Sequence, residues 1–405
     1  MTTGKSATSH FFIRRILLWF LALGPGVLGM VADNDAGGML SYLVTGSHNH
    51  LPWFVLALFI MAPITFLIQD LALKVALATH LPYSQIIAHK FGSGTAKFNA
   101  IILHLLNMMI LITEFIGMTS ALDFWGVPWN RGLIASFLVV LAVTLFRHVR
   151  QMEHLLLMLA VANLAFIPAL FLLHPSIHTW HKALSGGFNH HIPFLLLSLA
   201  GNAITPWMIF WQQNAVWAGN VKNLSSGQKD IRTGILAQVF IATVVILIGA
   251  LAAPVAVSGR NPLLWLQHYG GTTVAGLFAV GLFDAGFLAA STISVSSAWM
   301  VQEAFSQKLL EPNTSPTQGR FSILHIATLS VTAAVVLSPH LPTASLALWS
   351  QALGALWMPI TLAMLGLIAR DPQIMGQMVM PRRRQFLLGS VISLFVGLAV
   401  FSLVS

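Results

Sequence analysis

Gly24-Pro25-Gly26-Val27-Leu28-Gly29-Met30-Val31-Ala32-Asp33-Asn34-Asp35-Ala36-Gly37-Gly38 lies inside an apolar run from Phe11 to Val44, where a first membrane span belongs. An ordinary span has no use for it. Asp33 and Asp35 would be costly at membrane depth unless partnered, and acids placed there mark pathways. Five glycines and Pro25 weaken the helix around them. Non-helical backbone at that depth survives only inside protein or against a water-filled cavity. The stretch therefore predicts a helix broken so that backbone carbonyls and an aspartate can hold a cation. Gly37 and Gly38 are the positions expected to turn carbonyls toward it.

Composition agrees with a membrane setting. Of 405 residues 57% are hydrophobic and 8% charged, with a mean hydropathy of +0.81. No soluble domain has this balance. The absence of cysteine excludes a disulfide framework and a thiolate metal site. The net charge of +9 does not signal nucleic acid, because the basic residues lie scattered in short loops. Arg14 and Arg15 precede an apolar stretch as in a signal peptide, but no A-x-A site follows, so the segment is expected to be retained.

Eleven apolar segments follow one another, at about 11–44, 51–78, 99–122, 132–147, 154–174, 192–220, 234–257, 272–306, 321–338, 343–369 and 385–404. With the N-terminus inside, 17 of the 20 lysines and arginines fall in cytoplasmic loops, and only Arg131, Lys182 and Arg260 fall outside. The C-terminus is then external, and the protein is expected in the plasma or inner membrane.

A second break, Gly201-Asn202-Ala203-Ile204-Thr205-Pro206-Trp207, comes five spans after the first. Interrupted spans at matching places in two halves point to a midplane transport site. An odd offset makes the halves inverted: 11–175 for the first repeat, 192–370 for the second, with 385–404 as an additional helix. Asn202 and Thr205 offer hard oxygen ligands one turn apart, and Pro206 is expected to free the Asn202 carbonyl. The plainer reading is polar side chains joining two helices. Glu114 and Asp284 are the other deep acids, each open to a role beside the ion, in proton transfer or in structure; Gln351 joins them as a supporting candidate. Asp70 near an inner end suits a gate or a salt bridge to Lys74 at i+4.

These residues resemble the Nramp family of divalent-metal transporters. Asp35-Ala36-Gly37-Gly38 stands where the family has Asp-Pro-Gly-Asn, and Thr205-Pro206-Trp207 where it has Met-Pro-His. Thr113-Glu114-Phe115-Ile116-Gly117 echoes its Ala-Glu-Phe/Val-Gly, and Gly281 to Gly286 its Gly-Leu-Leu-Ala-Ala-Gly. The resemblance implies an all-α LeuT-type fold: two inverted five-helix repeats with helices 1 and 6 broken, and eleven transmembrane helices. It implies metal contacts at Asp35, Ala36, Gly38, Asn202 and Thr205, with Asp33, Glu114, Asp284 and Gln351 in support.

The departures carry as much information. The family's asparagine is Gly38, its thioether is Thr205, its histidine is Trp207, and its proton-pathway aspartate aligns with Leu111. A hydroxyl for a thioether disfavours soft transition metals. A roomier, harder pocket suits Mg²⁺, which keeps part of its water shell. The pattern is similar to the Nramp-related magnesium transporters. The expectation is therefore a secondary transporter importing Mg²⁺, and also Mn²⁺, by alternating access and without obligatory proton coupling. Its partners are the cation and the lipid bilayer; no cofactor and no nucleic acid are expected, and a monomer is favoured. A proton-coupled Mn²⁺ or Fe²⁺ importer is the alternative. A sodium-coupled amino-acid carrier fits less well, since two acids in the first break oppose an anion. No H-E-x-x-H, G-x-S-x-G or P-loop marks an enzyme.

Overall fold

The computed structural model describes residues 25–146, 149–186, 190–221, 223–252, 257, 259–306 and 320–404. The expected entry of the first span at 11–24, and the retained N-terminal run, lie outside them. Every element among the described residues is helical.

The first span is broken, though over a shorter stretch than expected. Helix α1 (Pro25–Asp33) opens on the proline, which suits a first helical turn. Only Asn34 and Asp35 leave the helix. Asp35 is extended and its side chain accepts from the Gly38 amide, so it is the N-cap of α2 (Ala36–Gly46). Gly37 and Gly38 are thus ordinary helical residues of α2, which corrects the expectation that their carbonyls turn out. In the sixth span α10 (Ile192–Ala203) ends and α11 (Pro206–Trp217) begins after two residues. Thr205 must be extended because Pro206 follows it, and Pro206 then starts α11 without needing an N–H.

One succession of elements occurs twice. After α1–α2 come α3 (Leu51–Thr79), α4 (Tyr83–Phe91), α5 (Ser93–Phe124), α6 (Trp129–Phe146), and α7 (Val149–Leu159), which passes through a 3₁₀ stretch into α8 (Phe166–Phe171). A short α9 (Ile177–Leu184) leads to α10–α11. Then follow α12 (Leu224–Ala252), α13 (Pro262–Gly270), α14 (Thr272–Phe305), α15 (Arg320–Val336) and α16 (Thr343–Ala369). Both halves place a 29-residue helix after the break, α3 and α12. Both continue with a nine-residue helix, α4 and α13, and then a glycine, Gly92 at φ 89° and Gly271 at φ 88°. That backbone is open to glycine and strained for other residues. The longest helices, α5 and α14, come next. A small α17 (Pro372–Met375) and α18 (Arg382–Val404) complete the chain.

Seven helical segments are long and apolar enough to cross a membrane, the α10–α11 pair counted as one, and three shorter apolar helices join them. With the α1–α2 pair these make eleven crossings among the described residues. The fifth crossing departs most from expectation: it starts at Val149 rather than 154, and its middle, Ala160–Ala165, is 3₁₀. Burial sorts the bundle into centre and rim. Every residue of α2 is buried, as is α11 from Pro206 to Val216. Helix α18 presents Phe386, Leu394, Val400 and Leu403 outward, as a lipid-facing helix does. Around the centre α5 runs along α14, α10 packs on α16, and α12 lies across α1, α2 and α3.

Candidate metal centre

The two breaks meet. Asn202 Nδ2, from the end of α10, donates to the Gly38 carbonyl in α2 at 3.0 Å. Thr205 Oγ1 donates to Asp33 Oδ1. Further along, Ser41 and Ser198 hydroxyls are 3.0 Å apart, and Ser198 donates to the Leu348 carbonyl in α16. Gln351 Nε2, also from α16, lies 3.1 and 3.4 Å from the two Asp35 oxygens. Asp33, Asp35, Glu114, Asn202, Thr205 and Gln351 are all 0% exposed, so the site is sealed.

The glycines explain how helices come this close. A Cβ at Gly37 would stand 2.2 Å from Thr113 Oγ1, and one at Gly38 would stand 2.1 Å from Asn202 Oδ1. No side chain fits at either position without displacing a neighbour. The space left at Gly38 is therefore no enlargement of the pocket, as the sequence suggested: the Asn202 carboxamide fills it. The amide that the family pattern places at position 38 arrives here from the opposite broken helix.

The acids divide into distinct environments. Glu114, from α5, accepts the Ala36 amide at 2.7 Å and the Gly37 amide at 3.4 Å. With Asp35 it places two carboxylates at the N-terminus of α2, where unpaired N–H groups and the helix dipole favour negative charge. Asp33 faces the other way, toward Thr205 and Gln238 Nε2, the latter at 2.7 Å. Asp284 belongs to neither group; its carboxylate accepts Asn163 Nδ2 at 3.0 Å, which ties α14 to the 3₁₀ stretch of the fifth crossing. Ala36 contributes backbone rather than a side chain: its amide goes to Glu114, and its methyl meets the spaces at Gly117 and Gly286.

Gln238 is the residue that sequence reading passed over. From α12 it reaches Asp33, donates to the Ala203 carbonyl at 3.2 Å, and offers its own carbonyl to Asn34 Nδ2 at 3.0 Å. One residue thus braces both breaks. The carbonyl freed at the end of α10 and taken up by side chains is that of Ala203, bonded by Thr65 and Gln238, rather than that of Asn202. The signal available was a lone amide in an apolar helix, which names no partner.

What the arrangement can do follows from its unused atoms. Asn202 Oδ1 and Gln351 Oε1 are buried acceptors with no hydrogen-bond partner. Buried polar atoms are rarely left so, and an orphan costs about 1–3 kcal/mol. Both belong to amides whose nitrogens are fixed on the α2 side of the site, Asn202 by the Gly38 carbonyl and Gln351 by Asp35 itself. Two neutral amide oxygens are thus left unsatisfied on α10 and α16, the helices that reach α2 near its Asp35 cap, and oxygen donors of this kind suit a hard cation. Among the described residues no cluster of three or more His, Cys, Asp or Glu forms a metal site. Cation binding would rest on this mixed carboxylate–amide set.

The chain resembles known proteins along most of its length. The chain is 23% identical over 400 residues to the divalent metal cation transporter MntH of Xanthomonas campestris pv. campestris, covering 92% of this chain and 86% of that protein. Structures of the Eremococcus coleocola manganese transporter superpose with a TM-score of 0.72 at 19% identity, over 95% of this chain and 86% of theirs. Mhp1, a nucleobase-cation-symport-1 family transporter, gives 0.65 at 13% identity, over 94% and 90%. These likenesses establish the LeuT-type fold. The model of the family described as natural resistance-associated macrophage protein-like (Nramp) matches residues 26–405, and the chain belongs to that family of transporters.

Proposed function

We propose that the protein imports divalent cations by alternating access, with Mg²⁺ as the principal cargo and Mn²⁺ also accepted. The observation that carries this reading is the pair of unpartnered amide oxygens, Asn202 Oδ1 and Gln351 Oε1, on side chains bonded to α2 at Gly38 and at Asp35. Every side chain that joins the two breaks bonds through oxygen or an amide nitrogen, and a thioether is replaced by Thr205. Such donors favour a hard ion that retains water over a soft one. The relatives named for divalent metals and manganese support the cation class. The twice-occurring succession of elements supports residues 11–175 and 192–370 as inverted halves that rock about the site. The basic loops support an inward N-terminus.

The electrical gradient is a sufficient drive. A divalent ion gains about 4.6 kcal/mol per 100 mV, twice the single-charge value. Leu111 and Trp207 stand where the family carries titratable side chains, which favours uptake without a coupled proton. The second reading, a proton-coupled Mn²⁺ or Fe²⁺ importer, draws on Glu114, whose carboxylate is buried against the α2 N-terminus. Mg²⁺ flux into proteoliposomes with internal pH recorded in parallel decides between them. Mg²⁺ entry without acidification is expected. Acidification in step with metal entry would establish coupling through Glu114 or Asp33, and Mn²⁺ entry with no Mg²⁺ entry would assign the chain to transition metals.

A further inference from the structure

Beyond the metal centre, the bundle hides a second set of unsatisfied oxygens. Helix α11 carries Gln212, Gln213 and Asn214 in succession, all buried. Both polar atoms of Gln213, Asn214 Oδ1 and Gln212 Nε2 have no partner. Facing them, Glu303 of α14 is 3% exposed. Its Oε1 receives Asn214 Nδ2 at 3.4 Å while Oε2 has no partner. Gln69 of α3, fully buried, also leaves both of its polar atoms unpaired. A carboxylate oxygen buried in this way is among the costliest arrangements a protein can hold. Packing does not require it, since leucine or methionine would fill the same volume.

The place is distinct from the breaks. Asn214 lies nine residues beyond Thr205, about 13 Å along α11. Glu303 is two residues from Phe305, over whose ring Lys97 sits at 5.5 Å, which puts it at the basic end of the bundle. We infer that Glu303, Asn214 and Gln213 form a second cation stop, a carboxylate-and-amide station that takes the hydrated divalent ion as it leaves the metal centre toward the cytoplasm. The inference rests on the transport reading above. In the sealed state Gln213 Oε1, Asn214 Oδ1 and Glu303 Oε2 have no partner from the protein; movement of α11 away from α14 admits the ion with its water, and these satisfy them. Amide oxygens and one acid suit a cation that keeps its shell, and an anion would be repelled by Glu303.

The test is Mn²⁺ uptake by cells expressing the full chain, where only the outer face meets the metal, with transporter number and thermal midpoint measured on the same variants. Glu303→Gln is expected to lower maximal uptake per transporter about tenfold while the external KM stays within about twofold, because release rather than capture is slowed. The thermal midpoint should hold or rise, since a neutral amide relieves a buried acid, and Glu303→Asp should recover part of the rate. Uptake by Glu303→Gln at the wild-type rate and KM would overturn the inference. So would a loss of rate accompanied by a lowered thermal midpoint, which would mark a structural residue. Absence of both Mn²⁺ and Mg²⁺ uptake by the wild type would instead remove the transport reading, a separate failure.

Discussion

The two broken helices solve the same backbone problem with opposite chemistry. At the first break the chain supplies charge: Asp35 caps α2 with its own side chain, Glu114 is drawn to the same N-terminus, and Asp33 stands on the other side of the gap. At the second it supplies neutral oxygens, and Thr205 does not cap its own helix. Its hydroxyl is given to Asp33 instead, so α11 starts on Pro206 without a side-chain cap. A capped helix is held; an uncapped one is easier to move. On the proposed reading, the comparison assigns anchoring of the ion to the first break, and the choice of ion and the freedom to rearrange to the second.

The sharpest way to break this comparison is to move the amide. Gly38→Asn alone inserts a side chain where a Cβ already meets Asn202 Oδ1 at 2.1 Å. Overpacking of this kind costs about 1–3 kcal/mol, and uptake should fall at least about tenfold. Combining it with Asn202→Ala removes the clash and returns a carboxamide from the other side. The pair should recover most of the loss in a flux assay; if it does worse than either single variant, the two positions do not share one space.

A smaller effect is expected at the brace. Gln238→Ala leaves Asp33 and the Ala203 carbonyl with one partner fewer each, while Asn34 keeps the backbone carbonyl it donates to. It should lower the thermal midpoint by a loss of about 1–3 kcal/mol. Gln238→Leu, matched in volume, should do the same, which separates hydrogen bonding from packing.

Selectivity should respond to Thr205. Thr205→Met restores a thioether at the second break and should raise Cd²⁺ competition against Mg²⁺ by about tenfold, the scale of one good soft contact. Thr205→Ser, which keeps the hydroxyl for Asp33, should leave it unchanged. Equal Cd²⁺ competition in the wild type and Thr205→Met would show that position 205 does not select the ion.

The least effect belongs to the rim, where polar contacts range from the buried Asp70 to a pair that meets water. Asp70, as its spacing suggested, pairs with Lys74 at 2.7 Å; it also receives Gln228 at 2.6 Å and Arg384, linking α3, α12 and α18. Lys90 pairs with Asp371 at the surface. The Lys90 hydrogen bond holds the Asp371 carboxyl below the ordinary carboxylate range. Its contribution is therefore complete above that range, near pH ~4, and fades as pH falls through the lowered value. Lys90→Ala should leave the thermal midpoint at pH 7 within measurement error, as exposed pairs do.

Much of this was legible because it is local. The breaks show as glycine, proline and acid inside apolar runs, and the Asp70–Lys74 pair lies one turn apart in sequence. The positions of Asp35 and Glu114 followed from motif order. What was not legible depends on distant partners. Gln238 meets Asp33 across 205 residues, and no local signal tells an amide in an apolar helix which break it will brace. Gly37 and Gly38 were read as hinges for carbonyls because glycine loosens a helix; they serve instead as clearances for Thr113 and Asn202. Asp284 was grouped with the deep acids, yet its partner, Asn163, comes from a segment whose 3₁₀ turn carries no mark in the sequence.

The central claim is that charge from the first break and neutral oxygens from the second hold one divalent cation. Asp35→Asn tests it most directly, because asparagine can still accept the Gly38 amide and cap α2, leaving the fold in place. Measured as Mg²⁺ flux into proteoliposomes, with Mn²⁺ in parallel, the variant should lose about a hundredfold or more in uptake of both ions while keeping its thermal midpoint, since a desolvated charge is worth several kcal/mol to the ion. Uptake within twofold of wild type would contradict the account and move the ion away from the breaks.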